Sequence, residues 1–453
     1  MEAEAEILRP FELRFSDLLL LSSSSSSISL AEVERLENVT RSVLENLGPE
    51  GPGLLSITGV PDASVLRGRL LPLARRLALL SYEDCRRVLK DHKLGTDVSL
   101  KNVDRTVSSF ALQLKYVQEP SQECVSSDSS ETGRNDCLDG DEDRSGESLR
   151  DEFRNLRNMF EELGFCMMEL GLRLAQLCDK AIGGHELEQS ILESCTAKGR
   201  LIHYHSSFDS HIQKESKRAK GRKRGSTMRS LYPLRDCFPM EEVNLEEKVT
   251  EKNGTCKTSM SHLWQQWHYD YGIFTVLTTP LFTSIKDIDG VYHSVEQEVD
   301  LLDGHCYLQV FDPSKNKILM VQPSPGSFIV QVGESADILS KGKLRATLHS
   351  VCKPLERVNL SRKTFVVFLQ PAWGKVFSTD FPNAPELLTL TGRSDNNEES
   401  DPTLYQTRNN LIEQIHRVVP PLSSRLKDGM TFAEFSQQTT KQYYGGSGFQ
   451  SVK

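Results

Sequence analysis

The 453-residue sequence lacks three features that would place it in a common class. No apolar run approaches the ~20 residues of a membrane-spanning helix, and the acidic start MEAEAE, followed by DLLLLSSSSSS, does not fit a secretory signal. The ten cysteines contain no C-x-x-C pair, which argues against a zinc ribbon or a disulfide framework. We therefore expect a soluble protein with reduced thiols, located in the cytoplasm, the nucleus or both.

Basic residues are also short in supply. Lysine and arginine number 54 against 63 aspartate and glutamate residues, giving a net charge of -9, which disfavours a general nucleic-acid binder. Hydrophobic residues reach only 38%, so polar segments must share the chain with the core. Residues 119–151 contain almost no large apolar side chain and predict a disordered acidic insert, because burial there cannot offset the entropy of ordering.

The remaining pattern divides the chain into four further parts. Helical periodicity from Ser29 to Gly48 and a short apolar run after it predict an N-terminal helical and strand region over 1–118. Residues 152–199 predict a helical region that packs against and supports the core. Short apolar runs separated by Pro, Gly and Asp predict a barrel or jelly-roll core over 200–375, with inserts near 206–262 and 282–304. A helix and a polar tail follow over 376–453, so the expected class is α+β.

The first insert contains a basic run from Lys217 to Arg224. Such a run is typical of a nuclear-import signal or a phosphate-binding patch, and equally of a solvated loop. The sequence leaves both interpretations open.

A histidine and an aspartate stand two positions apart in WQQWHYDYG. Because side chains alternate along a strand, His268 and Asp270 share one face. A histidine from a neighbouring strand would complete two imidazoles and one carboxylate, a set that holds Fe(II) and leaves coordination positions open. The candidates for this third ligand are His262, His293, His305 and His349. The last is the best placed, since RATLHSVCK reads as a strand close to the final core strand.

An arginine and a hydroxyl follow on that final strand. In SRKTFVVFLQP, Arg362 and Thr364 share one face. An arginine with a hydroxyl two residues later can hold a carboxylate through an ion pair and one hydrogen bond.

These motifs, in this order, resemble the core of the Fe(II)/2-oxoglutarate-dependent dioxygenases of the isopenicillin N synthase-like, plant-type group. The shared features are H-x-D followed by G-x-x-T-x-L, a P-x-P-G turn before an apolar strand, an LS-x-G segment leading to T-L-H-x-V, and R-x-T before a strand ending in Pro. GRLIHYHSS and the C-terminal GMTFAEF extend the likeness outward.

The resemblance implies a double-stranded β-helix, or jelly roll, with flanking N-terminal and C-terminal helices. It further implies that Fe(II) is bound by His268, Asp270 and His349, and that Arg362 and Thr364 anchor the C5 carboxylate of the cosubstrate 2-oxoglutarate, with Tyr204 beside it. Ascorbate is an optional accessory. The implied reaction uses O₂ to hydroxylate or desaturate a small organic molecule and releases succinate and CO₂.

Three features depart from the family pattern. Thr364 replaces the usual serine but keeps its hydroxyl, Ile202 replaces an asparagine often found two residues before the tyrosine, and the segment between His268 and His349 is long. Two alternatives stay open. The first is a catalytically silent jelly roll that binds a partner in the nucleus through its basic run and acidic insert. The second is a cupin-like or lectin-like jelly roll without redox iron. A peptide or nucleic-acid substrate is a further alternative, although the acidic charge counts against nucleic acid. No membrane partner is expected.

Overall fold

The computed structural model describes residues 6–23, 29–102, 104–116, 144–222, 263–285, 296–299, 304–312, 315, 317–354, 359–379, 415 and 417–444. The helices are α1 (Phe15–Ser22), α2 (Leu30–Leu47), α3 (Ala63–Leu79), α4 (Tyr82–Asp91), α5 (Arg144–Phe153), α6 (Leu156–Ile182), α7 (Glu186–Ser194), α8 (Ser207–Arg222), α9 (Glu334–Leu339) and α10 (Phe432–Tyr444). The strands are β1 (Glu6–Leu8), β2 (Glu12–Arg14), β3 (Leu54–Thr58), β4 (Gly95–Thr96), β5 (Val107–Lys115), β6 (Thr196–Tyr204), β7 (Leu263–His268), β8 (Phe274–Thr278), β9 (Leu281–Ile285), β10 (Glu296–Glu298), β11 (Leu308–Asp312), β12 (Lys317–Val321), β13 (Phe328–Val332), β14 (His349–Cys352) and β15 (Leu360–Leu369).

Two β-sheets form the centre of the molecule. The smaller has the strand order β1-β12-β11-β14-β7, and the larger runs β2-β3-β13-β8-β15-β6-β5-β4, with β9 also paired to β15 and β10 to β9. Pairing is antiparallel except between β1 and β12 and between β2 and β3. The class is therefore α+β. Among the described helices, none has the length and apolar character that crossing a membrane requires.

The two sheets face each other across an apolar layer. That layer takes Ile202 and Val366 from the larger sheet, and Leu308 and Val351 from the smaller. Side chains alternate along β15, so its other face packs into a second and larger core shared with α3 and α6. Burial of both faces explains why the β15 sequence TFVVFL is apolar almost throughout.

Several observed elements differ from the predicted segment limits. The disordered insert predicted over 119–151 does not hold for 144–151, because α5 begins at Arg144. Leu149 and Phe153 pack against the helical core, so burial there offsets the ordering entropy. Residues 119–143 lie outside the described residues. Strand β6 begins at Thr196, before the predicted core start at 200, because its pairing with β5 extends to Lys115.

Both predicted inserts contribute regular structure where they are described. Helix α8 lies within 206–262 and includes the first part of the basic run, up to Arg222, while Lys223 and Arg224 lie outside the described residues. In 282–304, β9 pairs with both β10 and β15. Phe282 of β9 is the register partner of Arg362. This insert therefore borders one end of the space between the sheets.

Candidate active site

Strand pairing brings the two predicted histidines together. His268, the last residue of β7, is the direct register partner of His349, the first residue of β14. Their ring centroids are 4.3 Å apart, and both side chains are buried. Residues 81 positions apart in the sequence thus become cross-strand neighbours.

The predicted aspartate closes this group. Asp270 follows β7, and its carboxylate oxygens lie 3.7 Å from Nε2 of His268 and 3.8 Å from Nε2 of His349. All three ligand atoms lie within 4.8 Å of one another, the arrangement of a candidate metal site. The hydroxyl of Thr275 donates a hydrogen bond of 2.7 Å to Asp270 Oδ2, which orients the carboxylate. We call these three residues the first cluster.

Backbone carbonyls set the tautomer of both histidines. Nδ1 of His268 lies 2.7 Å from the Gln266 carbonyl oxygen, and Nδ1 of His349 lies 3.0 Å from that of Thr347. A carbonyl only accepts, so Nδ1 donates in each case and the Nε2 lone pairs face Asp270. Burial, and next the charge of His349, lower the pKa of His268 to about 4. At neutral pH this histidine is therefore in the uncharged form that binds metals.

Two glycines allow the chain to turn tightly beside Asp270. A Cβ at Gly272 would lie 2.6 Å from the Leu369 carbonyl oxygen, and a Cβ at Gly333 would clash with the Gly272 carbonyl. The Glu334 amide also donates to the Asp270 carbonyl oxygen at 2.8 Å. Close backbone packing therefore holds Asp270 near the two histidines.

The other candidate histidines are not part of this cluster. His305 is buried against Tyr307, with ring centroids 4.7 Å apart, and does not line the cavity described next. His262 and His293 lie outside the described residues.

A cavity of about 290 Å³ opens between the sheets at the first cluster. Tyr204, Arg362 and Thr364 line it too, so the residues predicted to hold the cosubstrate share one cavity with the predicted metal ligands. Tyr204 and Arg362 are register partners on β6 and β15, and the Arg362 Cζ lies 5.1 Å from the centre of the Tyr204 ring. The hydroxyl of Thr364 donates to the Thr278 carbonyl oxygen at 3.3 Å.

Arg362 is a buried cation at the other end of this cavity. It is only 2% exposed, and its Nε donates to the Cys306 carbonyl oxygen at 3.2 Å. Within the part of the chain that the structure describes, no aspartate or glutamate lies within ion-pair distance of it. A charge buried without a partner is unfavourable, so this end of the cavity is suited to an anion.

Sequence reasoning missed several residues of the cavity wall. Asp97, Lys198 and Arg200 line it, as do Thr439 and Tyr443 of the C-terminal helix α10. The alternation of Lys198 and Arg200 with Tyr204 along one strand was a usable signal for two of them. Asp97 and the α10 residues have no comparable local signal, because they reach the cavity through tertiary packing alone.

A second group has the same composition as the first. His203, His205 and Asp209 are all buried, and their ligand atoms also lie within 4.8 Å of one another. Nε2 of His203 is 3.1 Å from Asp209 Oδ2, and Arg75 Nε donates to Asp209 Oδ1 at 2.8 Å. We call these three residues the second cluster. They do not line the cavity.

The sequence matches one known family. Residues 286–371 match the model of the 2OG-Fe(II) oxygenase superfamily, and the matched segment contains His349, Arg362 and Thr364. On this match the chain is a 2-oxoglutarate-dependent dioxygenase, an oxidoreductase whose cofactor is Fe(II) and whose cosubstrate is 2-oxoglutarate. His268 and Asp270 precede the matched segment.

Solved structures provide distant likenesses to this oxygenase. A full-length Neurospora crassa protein solved in complex with alpha-KG is 13% identical, with a TM-score of 0.47 and coverage of 91% of this chain and 100% of that chain. The rice dioxygenase for auxin oxidation is 16% identical, with a TM-score of 0.42 and coverage of 81% and 84%. A putative 2OG-Fe(II) oxygenase family protein from Caulobacter crescentus is 13% identical, with a TM-score of 0.43 and coverage of 90% and 99%. A search of curated proteins finds no match. At TM-scores below 0.5, these likenesses do not bear on the substrate of this oxygenase.

Proposed function

We propose that this oxygenase binds Fe(II) through His268, Asp270 and His349, binds 2-oxoglutarate through Arg362 and Thr364, and hydroxylates or desaturates a small organic molecule. The observation that carries the proposal is a buried arginine, without a carboxylate partner among the described residues, in the same cavity as the first cluster. A metal site and an anion site in one small cavity are the two requirements of a chelating, negatively charged cosubstrate.

The residues of the first cluster fit Fe(II). Two neutral imidazoles with their Nε2 lone pairs turned toward one carboxylate make a two-histidine, one-carboxylate set, and Thr275 orients that carboxylate. Fe(II), when bound, supplies the redox chemistry by which the superfamily couples oxidation of a substrate by O₂ to conversion of 2-oxoglutarate into succinate and CO₂. The chain itself supplies ligands of fixed orientation and a largely buried cavity.

The residues at the other end fit a carboxylate. The Arg362 guanidinium offers a planar donor fork, and its Nε bond to Cys306 holds it in place before a ligand arrives. Thr364 adds a hydroxyl, whose proton would turn from the Thr278 carbonyl oxygen to the carboxylate, and Tyr204 adds a phenol beside the guanidinium. Burial raises the pKa of Tyr204, so its phenol remains protonated and able to donate. In this proposal Arg362 and Thr364 bind the C5 carboxylate, and Tyr204 contacts it as a secondary donor.

The proposed jelly-roll architecture is consistent with the placement of the metal ligands and the cosubstrate-binding residues on different sheets. The histidines lie on β7 and β14 of the smaller sheet, and Arg362 and Thr364 lie on β15 of the larger. We infer a double-stranded β-helix because two facing antiparallel sheets built from sequence-distant strands enclose the site between them. Its interior would then hold both the metal and the cosubstrate.

Anaerobic titration of the purified chain with Fe(II) and then 2-oxoglutarate tests the proposal. The visible charge-transfer band of the chelate is expected with the natural sequence and lost in His268→Ala. Arg362→Ala should keep Fe(II) binding but raise the 2-oxoglutarate concentration required by about 100-fold or more, because the ion pair is lost.

Two exposed positions provide matched controls. His185→Ala and Arg69→Ala change the same residue types at side chains that are 76% and 46% exposed, and both should leave the titration unchanged. Absence of the band in folded protein of natural sequence would contradict the proposal. So would an Arg362→Ala variant that requires no more 2-oxoglutarate than the natural protein.

A further inference from the structure

The cavity has a second cationic region, far from Arg362. Lys198 and Arg200 lie on the same face of β6 as Tyr204, and all three line the cavity. Tyr204 pairs in register with Arg362, whereas Lys198 pairs with Phe368, further along β15. At ~3.4 Å per residue, Val366 and Phe368, the register partners of Arg200 and Lys198, lie roughly 14 Å and roughly 20 Å along β15 from Arg362. One cavity thus has two distinct positively charged ends.

The second region lies beside the first cluster. Phe368 pairs with Lys198 on one side and with Thr275 on the other, and the Thr275 hydroxyl contacts Asp270. Because neighbouring strands are ~4.8 Å apart, the backbones of Lys198 and Thr275 are roughly 10 Å apart. A small ligand held at Lys198 and Arg200 therefore reaches Asp270 from the side away from Arg362.

The charges of this second region do not cancel. Asp97 pairs with both cations, at 2.8 Å from Lys198 Nζ and 2.9 Å from Arg200 Nε. Two cations against one carboxylate leave one positive charge. Among the described residues, no acceptor forms a hydrogen bond with the terminal nitrogens of Arg200, and its guanidinium lies over the Phe368 ring at 5.0 Å. Asp97 and Phe368 thus position the Arg200 guanidinium, and its terminal N–H groups can still donate hydrogen bonds to a ligand.

The wall between the two charged ends is apolar. It is formed mainly by Ile202, Leu277, Leu308, Val351 and Val366. A cavity of about 290 Å³ is small for a ligand site, which limits the size of whatever binds next to the cosubstrate.

We propose that the primary substrate is a small monocarboxylic acid with an apolar body, whose carboxylate is bound by Arg200 and Lys198 beside the first cluster. One negative charge balances the one positive charge that Asp97 leaves, whereas a dianionic phosphate would overcompensate it. The apolar body lies along the wall, and the planar carboxylate matches the guanidinium fork. This inference rests on the proposed function, because it assigns the substrate class of that same site.

Binding of acids and their uncharged analogues tests the inference. The probes are straight-chain, branched and aromatic monocarboxylates, including hexanoate, phenylacetate and cinnamate, each compared with its primary amide. Affinities are measured by ligand-observed NMR on the full chain, first without metal and then with Fe(II) and 2-oxoglutarate under argon. At least one acid should bind about tenfold or more tightly than its amide, because the amide lacks the charge-assisted bonds.

Variants assign any preference to the second cationic region. Arg200→Gln should remove about tenfold or more of the affinity for the preferred acid and leave its amide unaffected. Arg69→Gln, which changes an arginine in an exposed ion pair with Glu162, is the matched control and should behave as the natural sequence. Circular dichroism confirms that each variant is folded.

Three results would overturn the inference: none of the acids binds, acids and amides bind equally, or folded Arg200→Gln retains the preference for acids. Because the first series uses metal-free protein, acid binding can succeed even where the iron titration fails. A normal iron and 2-oxoglutarate band without discrimination between acid and amide rejects the substrate class alone.

Discussion

The two clusters of this oxygenase share one composition and differ in their surroundings. Each brings two histidines and one aspartate within 4.8 Å; all three residues of the second cluster are buried, whereas Asp270 of the first is only partly buried. Asp209 of the second cluster is paired with Arg75, whereas among the described residues Asp270 of the first cluster has no lysine or arginine within ion-pair distance. The first cluster also lines a cavity and the second does not.

That difference shows why composition and spacing alone do not define a metal site. A cation already neutralises the second carboxylate, so a metal ion there would have to displace or overcome Arg75. Although burial raises it, the pKa of Asp209 stays well below its ordinary value because of the hydrogen bond and charge of His203 and the charge of Arg75. The second cluster is best explained as a buried polar network that stabilises the fold, whereas we propose the first as the metal-ligand set.

The largest expected effect is on metal affinity, which should fall in one aspartate variant and stay unchanged in the other. The natural chain should bind one Mn(II), used as a redox-inert probe, under argon. Asp270→Asn should weaken this binding at least about 100-fold, because a charged ligand is lost. Asp209→Asn should leave it unchanged. Titration followed by electron paramagnetic resonance measures both. Two metal ions per chain, or tight binding that survives Asp270→Asn, would contradict the distinction between the clusters.

The second effect is on stability and concerns Arg75. Arg75→Leu should lower the free energy of unfolding by about 3–5 kcal/mol, because Asp209 would remain buried without its partner. Urea unfolding measures the change. Arg69→Leu removes an exposed ion pair and should change stability by less than about 1 kcal/mol. Equal effects of the two variants would show that Arg75 is not compensating a buried charge.

A smaller effect is expected from the residue that orients Asp270. Thr275→Val removes the hydroxyl that donates to Oδ2 while keeping a similar volume, and should reduce Mn(II) affinity about 10- to 100-fold. Thr40→Val, at a helix position where the hydroxyl donates to the Leu36 carbonyl oxygen, is the matched control. Unchanged affinity in Thr275→Val would mean that the carboxylate is positioned by the backbone alone.

The smallest effect is the pH dependence of stability that the second cluster contributes. Burial lowers the pKa of His203 and lowers that of His205 well below 6.5. The folded chain therefore binds fewer protons than the unfolded chain, so this stability is complete above pH 6.5 and is lost as the pH falls below it. Each histidine contributes a slope of up to about 1.4 kcal/mol per pH unit.

Urea unfolding from pH 7 downward checks this sign and its origin. His205→Gln should be less stable at pH 7 and have a shallower decline in stability as the pH falls, since one titrating group is gone. His185→Gln, at a largely exposed position, should keep the natural slope. An unchanged slope in His205→Gln would place the pH dependence elsewhere, for example in His268, whose pKa is also lowered.

The sequence alone determined the parts of the site that depend on local geometry. Strand alternation put Arg362 with Thr364, because the two lie two residues apart on β15 and a strand repeats every two residues. The same spacing predicted His268 with Asp270, although Asp270 lies just beyond the end of β7 and is held there by backbone packing. The ordered motifs around them then indicated the superfamily that the match over 286–371 identifies. The insert prediction failed at 144–151 because Leu149 of helix α5, with Phe153 just after that segment, packs against the helical core, which composition averaged over the segment does not reveal.

Only the tertiary structure decided which distant residues meet. The register between β7 and β14 placed His349, rather than His305, beside His268, and the packing of loop, sheet and C-terminal helix brought Asp97 and Tyr443 to the cavity. The tertiary structure also distinguished the two clusters by their charge pairing, since Arg75, on a helix far away in the sequence, contacts Asp209. Charge balance is a property of neighbours in space, and neighbours in space are set by long-range packing that no local pattern encodes.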